Sequence, residues 1–108
     1  MVSIDPFART DALDDGVLEA LAARFEARGK HPGFARMLDD YLAAMAIADD
    51  AAVLDLGCGT GLAARAIARR AGFRGLVAGV DLSAYLASAA ERLAHAEGLA
   101  PGTRWRGR

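Results

Sequence analysis

Two acidic residues and a run of closely spaced glycines are the features of this sequence that could do chemistry. The run at residues 53–61 reads Val-Leu-Asp-Leu-Gly-Cys-Gly-Thr-Gly, so that Asp55 stands two residues before the first glycine. A second apolar run, Leu76–Val80, is followed by Asp81. Glycines allow left-handed backbone and a close ligand approach, and a helix N-terminus beside such a turn offers free N–H groups. The pattern predicts a binding site for a polar small molecule.

The glycine spacing differs from that of a dinucleotide-binding loop. That loop has glycine at relative positions one, three and six. Gly57 and Gly59 fit the first two positions, but the sixth is Leu62 and the third glycine comes early, at Gly61. A carboxylate such as Asp55 repels a pyrophosphate and attracts an ammonium or a sulfonium. A nicotinamide dinucleotide nevertheless stays open as an alternative, because an acid after the second strand can bind the ribose of either cofactor type.

These residues resemble two motifs of the class I S-adenosylmethionine-dependent methyltransferases, in particular the small-molecule methyltransferase-domain type. Residues 53–61 resemble the first motif, and the Gly-Val-Asp-Leu-Ser run at residues 79–83 resembles the second. The resemblance covers roughly residues 50–98. It implies S-adenosyl-L-methionine as the cofactor and methyl transfer, most simply to a small molecule, although the acceptor itself is not indicated.

The resemblance also implies which residues contact the cofactor. The glycine run would pass the cofactor by its backbone, Asp55 would lie near the methionine amino group, and Asp81 would hold the ribose with Leu82 against the adenine. The simpler alternatives are that both acids only cap helices and that the glycines only shape a turn. The full predicted set is Asp55, Gly57, Cys58, Gly59, Thr60, Gly61, Asp81 and Leu82.

Neither a catalytic base nor a metal site is predicted. Cys58 lies between glycines with no histidine in the same segment, so a small side chain beside the ligand is a better interpretation than a nucleophile. His31 and His95 are isolated and lack metal-ligand spacing. Methyl transfer asks mainly for alignment, because the sulfonium is already a strong electrophile.

Alternating strand and helix signals predict an α/β fold with a parallel, Rossmann-like sheet. Two helices should precede two or three strands: residues 1–48 would form an arm (residues 1–12) and these helices, and residues 49–108 a truncated cofactor-binding core. Asp14 or Asp15 should cap the first helix. The expected elements are helices from about 15 to 28, from about 34, at 60–71 and at 83–97, with strands at 52–56 and 76–80 and the start of a third strand at Thr103.

Helical spacing predicts which apolar side chains of the first two helices face the core. Those of the first helix are Val17, Leu18, Leu21 and Phe25. Those of the second are Met37, Leu38, Tyr41, Leu42 and Met45.

Composition narrows the partners and the compartment. The net charge of −1, from 13 basic and 14 acidic residues, argues against a nucleic-acid or membrane surface. The alternating Arg104, Arg106 and Arg108 are a weak nucleic-acid signal. A single cysteine excludes an internal disulfide and fits a reducing compartment, so the cytoplasm is expected.

The length of 108 residues is short for the seven-stranded fold that the resemblance implies. The expectation is the N-terminal part of a methyltransferase, with a complete minimal domain as the alternative. A non-catalytic cofactor-binding or interaction fragment is a second functional hypothesis. Val53, Leu54 and Leu56 would then lie on an unpaired apolar edge, so that the isolated chain would be marginally folded and prone to self-association.

Overall fold

A computed structural model describes residues 9–108, so most of the predicted arm lies outside the described residues. A short 3₁₀ turn, Thr10–Ala12, precedes the first helix, and another, Ala100–Gly102, precedes the last strand. The helices are α1 (Asp15–Gly29), α2 (Pro32–Met45), α3 (Leu62–Ala68) and α4 (Ala84–Ala96). The strands are β1 (Ala52–Leu56), β2 (Leu76–Asp81) and β3 (Thr103–Gly107).

The three strands form one parallel sheet in the order β1-β2-β3. Parallel neighbours need a crossover, and α3 and α4 supply the two crossovers in turn. The predicted α/β, Rossmann-like class is confirmed, and Thr103 does begin a third strand. Because all strands run in the same direction, the carboxyl ends of β1 and β2 lie at the same end of the sheet. The two sequence motifs therefore meet there.

The second and third helices have boundaries that differ from the prediction, and the third ends at Ala68 rather than residue 71. The second helix begins at Pro32 rather than near residue 34, because His31 caps it: its Nδ1 accepts the Gly33 N–H at 3.1 Å, and proline suits the first helical position. The third helix begins at Leu62 rather than residue 60, because Gly61 before it is left-handed (φ 84°).

The buried face of α1 is narrower than predicted. Asp14 caps the helix by accepting the N–H of Val17, as expected. Leu18 and Leu21 are buried against Leu86 of α4 with Phe25 beside them. The prediction for Val17 is wrong, because its side chain is exposed. It lies at the margin of the packed stripe, 100° around the helix from Leu18, on the side that faces solvent.

The predicted core stripe of α2 is also partly wrong. Leu42 is buried and Leu38 packs against the same cluster, together with Ile67 of α3 and Val77 of β2. Three other members of the predicted stripe, Met37, Tyr41 and Met45, are exposed. They form a second apolar row at four-residue spacing, and only the row carrying Leu38 and Leu42 faces the protein.

The two faces of the sheet are covered unequally. On one face, Val53 and Val77 pack in the main core. On the other face, Leu54 and Leu56 of β1 are 60% and 75% exposed, beside Leu76 at 40%. Val53 was predicted to lie on the exposed edge with them, but strand alternation turns it to the packed face. Parallel sheets are usually covered on both faces, so this apolar surface is unusual.

We predict that β1 recruits a second copy of the chain. Among the described strands β1 pairs only with β2, and its uncovered face carries Ala52, Leu54 and Leu56, while the charged Asp55 lies on the other face. Sedimentation velocity should show a dimer or larger species that Leu54→Lys converts to monomer, whereas Tyr41→Lys on α2 should leave the assembly unchanged. A wild-type monomer that melts sharply above about 60 °C would contradict this prediction.

Candidate cofactor site

The glycine run forms the turn from β1 into α3. Gly57, Gly59 and Gly61 all have positive φ, at 70°, 56° and 84°, which L-residues with a Cβ rarely adopt. The N–H groups of Gly57 and Cys58 donate to the carbonyl of Val80 at 2.7 and 3.0 Å. The turn, called the glycine loop below (residues 57–61), is therefore bound to the end of β2.

Asp81, the last residue of β2, joins three segments through its carboxylate. Its Oδ2 accepts the Gly59 N–H at 2.8 Å, and its Oδ1 accepts the Ser83 N–H at 2.8 Å. Thr10 donates its hydroxyl to Oδ1 at 3.4 Å. Only 9% of Asp81 is exposed. Ser83, not Asp81, caps α4 by accepting the Leu86 N–H, so Asp81 orders the glycine loop instead of merely starting a helix.

Two clefts meet at Gly57. The larger, the Asp81 cleft, has a volume of about 630 Å³ and is lined by Leu56, Gly57, Val80, Asp81, Leu82 and residues 106–108. The smaller, the Asp55 cleft, has a volume of about 270 Å³. It is lined by Phe25, Phe34, Leu38, Asp55, Gly57, Cys58, Gly59, Thr60, Leu62 and Ala63. One ligand lying across Gly57 could therefore reach both acids.

The three loop glycines differ in how much space a side chain would have at each position. A Cβ added at Gly57 would meet nothing within 4 Å, so the backbone there is open to an approaching ligand. A Cβ at Gly59 would lie 3.6 Å from Phe25. A Cβ at Gly61 would lie 2.7 Å from the ring of Trp105. Gly61 is buried, and its missing side chain makes room for that ring instead of for a ligand.

The remaining predicted residues line one or other of the two clefts. Asp55 and Cys58 line the smaller cleft, and the exposed Leu82 lines the larger. Thr60 also borders the smaller cleft, but its hydroxyl donates to Glu26 Oε2 at 2.7 Å. The structure thus brings together all the predicted residues except Gly61 around the two clefts.

Burial raises the pKa of both titratable groups in the smaller cleft. Burial raises the pKa of Asp55, and the charge of Asp81 adds to this, against a backbone hydrogen bond from Ala64. Burial raises the pKa of Cys58 to about 12, with contributions from Asp81 and Asp55. A thiol with such a pKa is a poor nucleophile at neutral pH. A ligand cation near Asp55 would offset the cost of ionising it.

The sequence reasoning missed Glu26 on α1 and Arg65 on α3. Arg65 is only 4% exposed and donates to both oxygens of Glu26, at 2.6 and 2.7 Å. The one local signal for Arg65 is its position on the buried face of an alanine-rich helix, beside Ala64 and Ile67. Nothing in the local sequence links it to Glu26, 39 residues away.

Metal binding finds no support within residues 9–108. No group of three or more His, Cys, Asp or Glu side chains in that range could hold an ion. Over the same range, no helix has the length and apolar character needed to cross a bilayer.

Comparison with known proteins places residues 53–106 in a family. A family model described as a methyltransferase domain matches these residues, which are half of the chain. Among curated proteins, none matches this chain.

Solved structures with the same fold give a consistent result. Coclaurine N-methyltransferase bound to N-methylheliamine and SAH is 27% identical (TM-score 0.59) over 68% of this chain and 20% of that one. The [4+2]-cyclase SpnF is 26% identical (TM-score 0.59) over 74% and 30%. A SAM-dependent methyltransferase from Aquifex aeolicus, 17% identical, shares the fold (TM-score 0.60) over 89% and 47%. The chain spans less than half the length of each of these proteins.

We predict that Asp55→Asn stabilises the protein at neutral pH. An acid with a raised folded-state pKa opposes folding once it ionises, so its cost is absent below the ordinary pKa of 3.8 and complete above the raised pKa. Asparagine carries no charge and still offers an oxygen to the Ala64 N–H. Thermal melting should show the variant above wild type at pH 7, with the difference shrinking as the pH falls towards 3.8.

The matched control for this prediction is Asp50→Asn, the same change at an exposed position. It should alter the melting temperature little at either pH. An Asp55→Asn variant that melts with wild type at both pH values would contradict the burial of this carboxyl group.

Proposed function

This chain belongs to the methyltransferase domain family, and from that premise we propose that it is the cofactor-binding part of an S-adenosylmethionine-dependent methyltransferase. The observation that carries the proposal is the meeting of the two clefts over Gly57, with one carboxylate in each. S-Adenosylmethionine has adenine at one end, the ribose and the sulfonium in the middle, and the methionine ammonium and carboxylate at the other end. A ligand of that form matches two neighbouring clefts that share Gly57 and each contain an acid.

In the proposed binding mode, the adenosine lies in the Asp81 cleft. Asp81 accepts hydrogen bonds from the ribose hydroxyls, for which a carboxylate has enough acceptor positions even with two N–H groups bound. Leu82 lies against the adenine, since its side chain is exposed in that cleft. The weak 3.4 Å bond from Thr10 is the contact that a ribose hydroxyl would replace at lowest cost.

The methionine end lies in the Asp55 cleft. The open backbone of Gly57 lets the ligand pass between the clefts, and Asp55 attracts the ammonium and the sulfonium. The same electrostatics disfavours a nicotinamide dinucleotide, because its pyrophosphate would pass between two carboxylates. Binding of the cation also offsets the cost that burial imposes on the ionised form of Asp55.

We propose a small, partly apolar molecule as the methyl acceptor. Phe25, Phe34 and Leu38 give the Asp55 cleft an apolar wall beside the expected position of the sulfonium. The chain would contribute alignment and exclusion of water, because Cys58, with a pKa of about 12, cannot serve as a base at neutral pH. The cofactor supplies the activated methyl group. We place this activity in the cytoplasm, which is supported by a single cysteine.

A second candidate is a protein that binds the cofactor without transferring its methyl group. It is favoured by the match to a protein named as a [4+2]-cyclase. An assay with radiolabelled cofactor and a panel of small acceptors separates the two candidates. Transfer of label at enzyme-like turnover supports the first, and tight binding without transfer supports the second.

The cofactor proposal predicts that S-adenosylhomocysteine binds and that Asp81→Ala weakens its binding. The loss should be about 1.5–3 kcal/mol, the size of charge-assisted hydrogen bonds to the ribose. Isothermal titration calorimetry of both proteins measures it, with Asp50→Ala as the exposed control. Clear binding of a nicotinamide dinucleotide without binding of S-adenosylhomocysteine would refute the proposal.

Asp81→Ala also leaves the N–H groups of Gly59 and Ser83 without their acceptor, so the variant could fail to fold. Leu82→Ala avoids that problem, because the side chain is exposed and caps no backbone group. It should weaken S-adenosylhomocysteine binding by about 1 kcal/mol or more through lost apolar contact. Unchanged affinity in Leu82→Ala would contradict an adenine in the Asp81 cleft.

A further inference from the structure

An ion network centred on the buried Arg65 contacts the glycine loop at Thr60. The Arg65 guanidinium donates from Nη2 to Glu26 and from Nη1 to Glu97 at 2.8 Å. Its Nε donates to the carbonyl of Thr60 at 3.2 Å. Glu26 in turn accepts the Thr60 hydroxyl at 2.7 Å. All three guanidinium nitrogens therefore have protein partners.

The network holds Thr60 at two points, its hydroxyl and its carbonyl. Thr60 lies between Gly59 and Gly61, which are both left-handed and, as glycines, are free to adopt many other conformations. Ordering glycines carries the largest backbone entropy cost of any residue. A loop built on alternate glycines therefore needs external anchors to keep one shape.

We propose that Glu26 and Arg65 are positioning residues that hold the glycine loop in the shape that binds the cofactor, an inference that rests on the proposed function. Asp81 fixes the loop at the Gly59 N–H, and this pair fixes it at the next residue, Thr60. Two anchors on consecutive residues define both the position and the direction of the backbone. Glu26 lies outside residues 53–106, so α1 becomes part of the cofactor site.

Burial makes this anchor sensitive to the loss of one member. Arg65 is almost fully enclosed, and removing Glu26 would leave its Nη2 without an acceptor and only Glu97 to balance its charge. Burial alone would raise the pKa of Glu97, but hydrogen bonds from Arg65 and Arg69 lower it below the ordinary value. Arg69 is 46% exposed and bonds Glu97 without touching the loop. It therefore provides a control within the same network.

The test compares Glu26→Ala, Glu26→Gln and Arg69→Ala in the full chain. Titration calorimetry gives the affinity for S-adenosylhomocysteine per folded molecule, and amide hydrogen exchange by NMR reports the loop at Gly59 and Gly61. Glu26→Ala should weaken binding about ten- to a hundredfold and speed exchange at both amides, as expected when a contact is displaced by an ångström. Arg69→Ala should change the affinity by no more than about twofold.

Glu26→Gln retains one oxygen that can accept from the Thr60 hydroxyl and from Arg65, but it loses the charge and the second acceptor, so it should recover part of the affinity lost in Glu26→Ala. It also serves as the second variant if Glu26→Ala does not fold. A Glu26→Ala protein with a lowered melting temperature but unchanged affinity and loop exchange would overturn the inference, as would Arg69→Ala matching its loss of affinity. If wild type itself fails to bind S-adenosylhomocysteine, the proposed function fails, while loop exchange still decides whether Glu26 anchors the loop.

Discussion

The rest of the site depends on one buried carboxylate. Asp81 accepts backbone N–H groups from Gly59 and from Ser83, so the end of β2 fixes both the glycine loop and the start of α4. A buried acceptor of this kind must be satisfied, and two short bonds to backbone donors satisfy it without a counter-ion. The arrangement fixes the carboxylate beside the larger cleft. It also explains why the glycine loop and Asp81 occur together in the sequence. The Gly59 N–H needs an acceptor, and the buried carboxylate of Asp81 needs donors.

The position of the site follows from how the sheet is covered. The main core packs on one face of the sheet, where Val77 is fully buried and Trp105 fills the space left by Gly61 and Gly79. On that face the strands pack against the core, and the glycine loop is hydrogen-bonded to the end of β2. The opposite face carries exposed leucines on β1. The Asp55 cleft therefore lies on the packed side of the sheet, whereas the Asp81 cleft is also lined by Leu56 from the exposed face.

Local sequence patterns predicted the helices, the strands and the glycine loop. The features that they missed depend on packing between distant segments. The strand at residues 52–56 and the start of a helix after Ser83 depend on neighbouring residues, and both were predicted correctly. Periodicity showed that α2 is amphipathic but could not choose between the row of Leu38 and the row of Met37, since either is apolar. The pairing of Glu26 with Arg65 joins distant segments and leaves no local trace. Gly61 is a related case, because a glycine required by a tryptophan ring looks the same in sequence as one required by a ligand.

Amide NMR of the full chain during titration with S-adenosylhomocysteine tests the central claim most directly. If one ligand spans both clefts, the titration shows one saturable process. The amide resonances of Gly57, Gly59 and Ser83 then shift together with those of residues lining both clefts, such as Phe34 and Leu82. Shifts at only one cleft would mean that the ligand does not cross Gly57. Binding at the two clefts would be contradicted by an absence of shifts at millimolar ligand, or by shifts confined to the exposed face of α2 around Met37 and Tyr41.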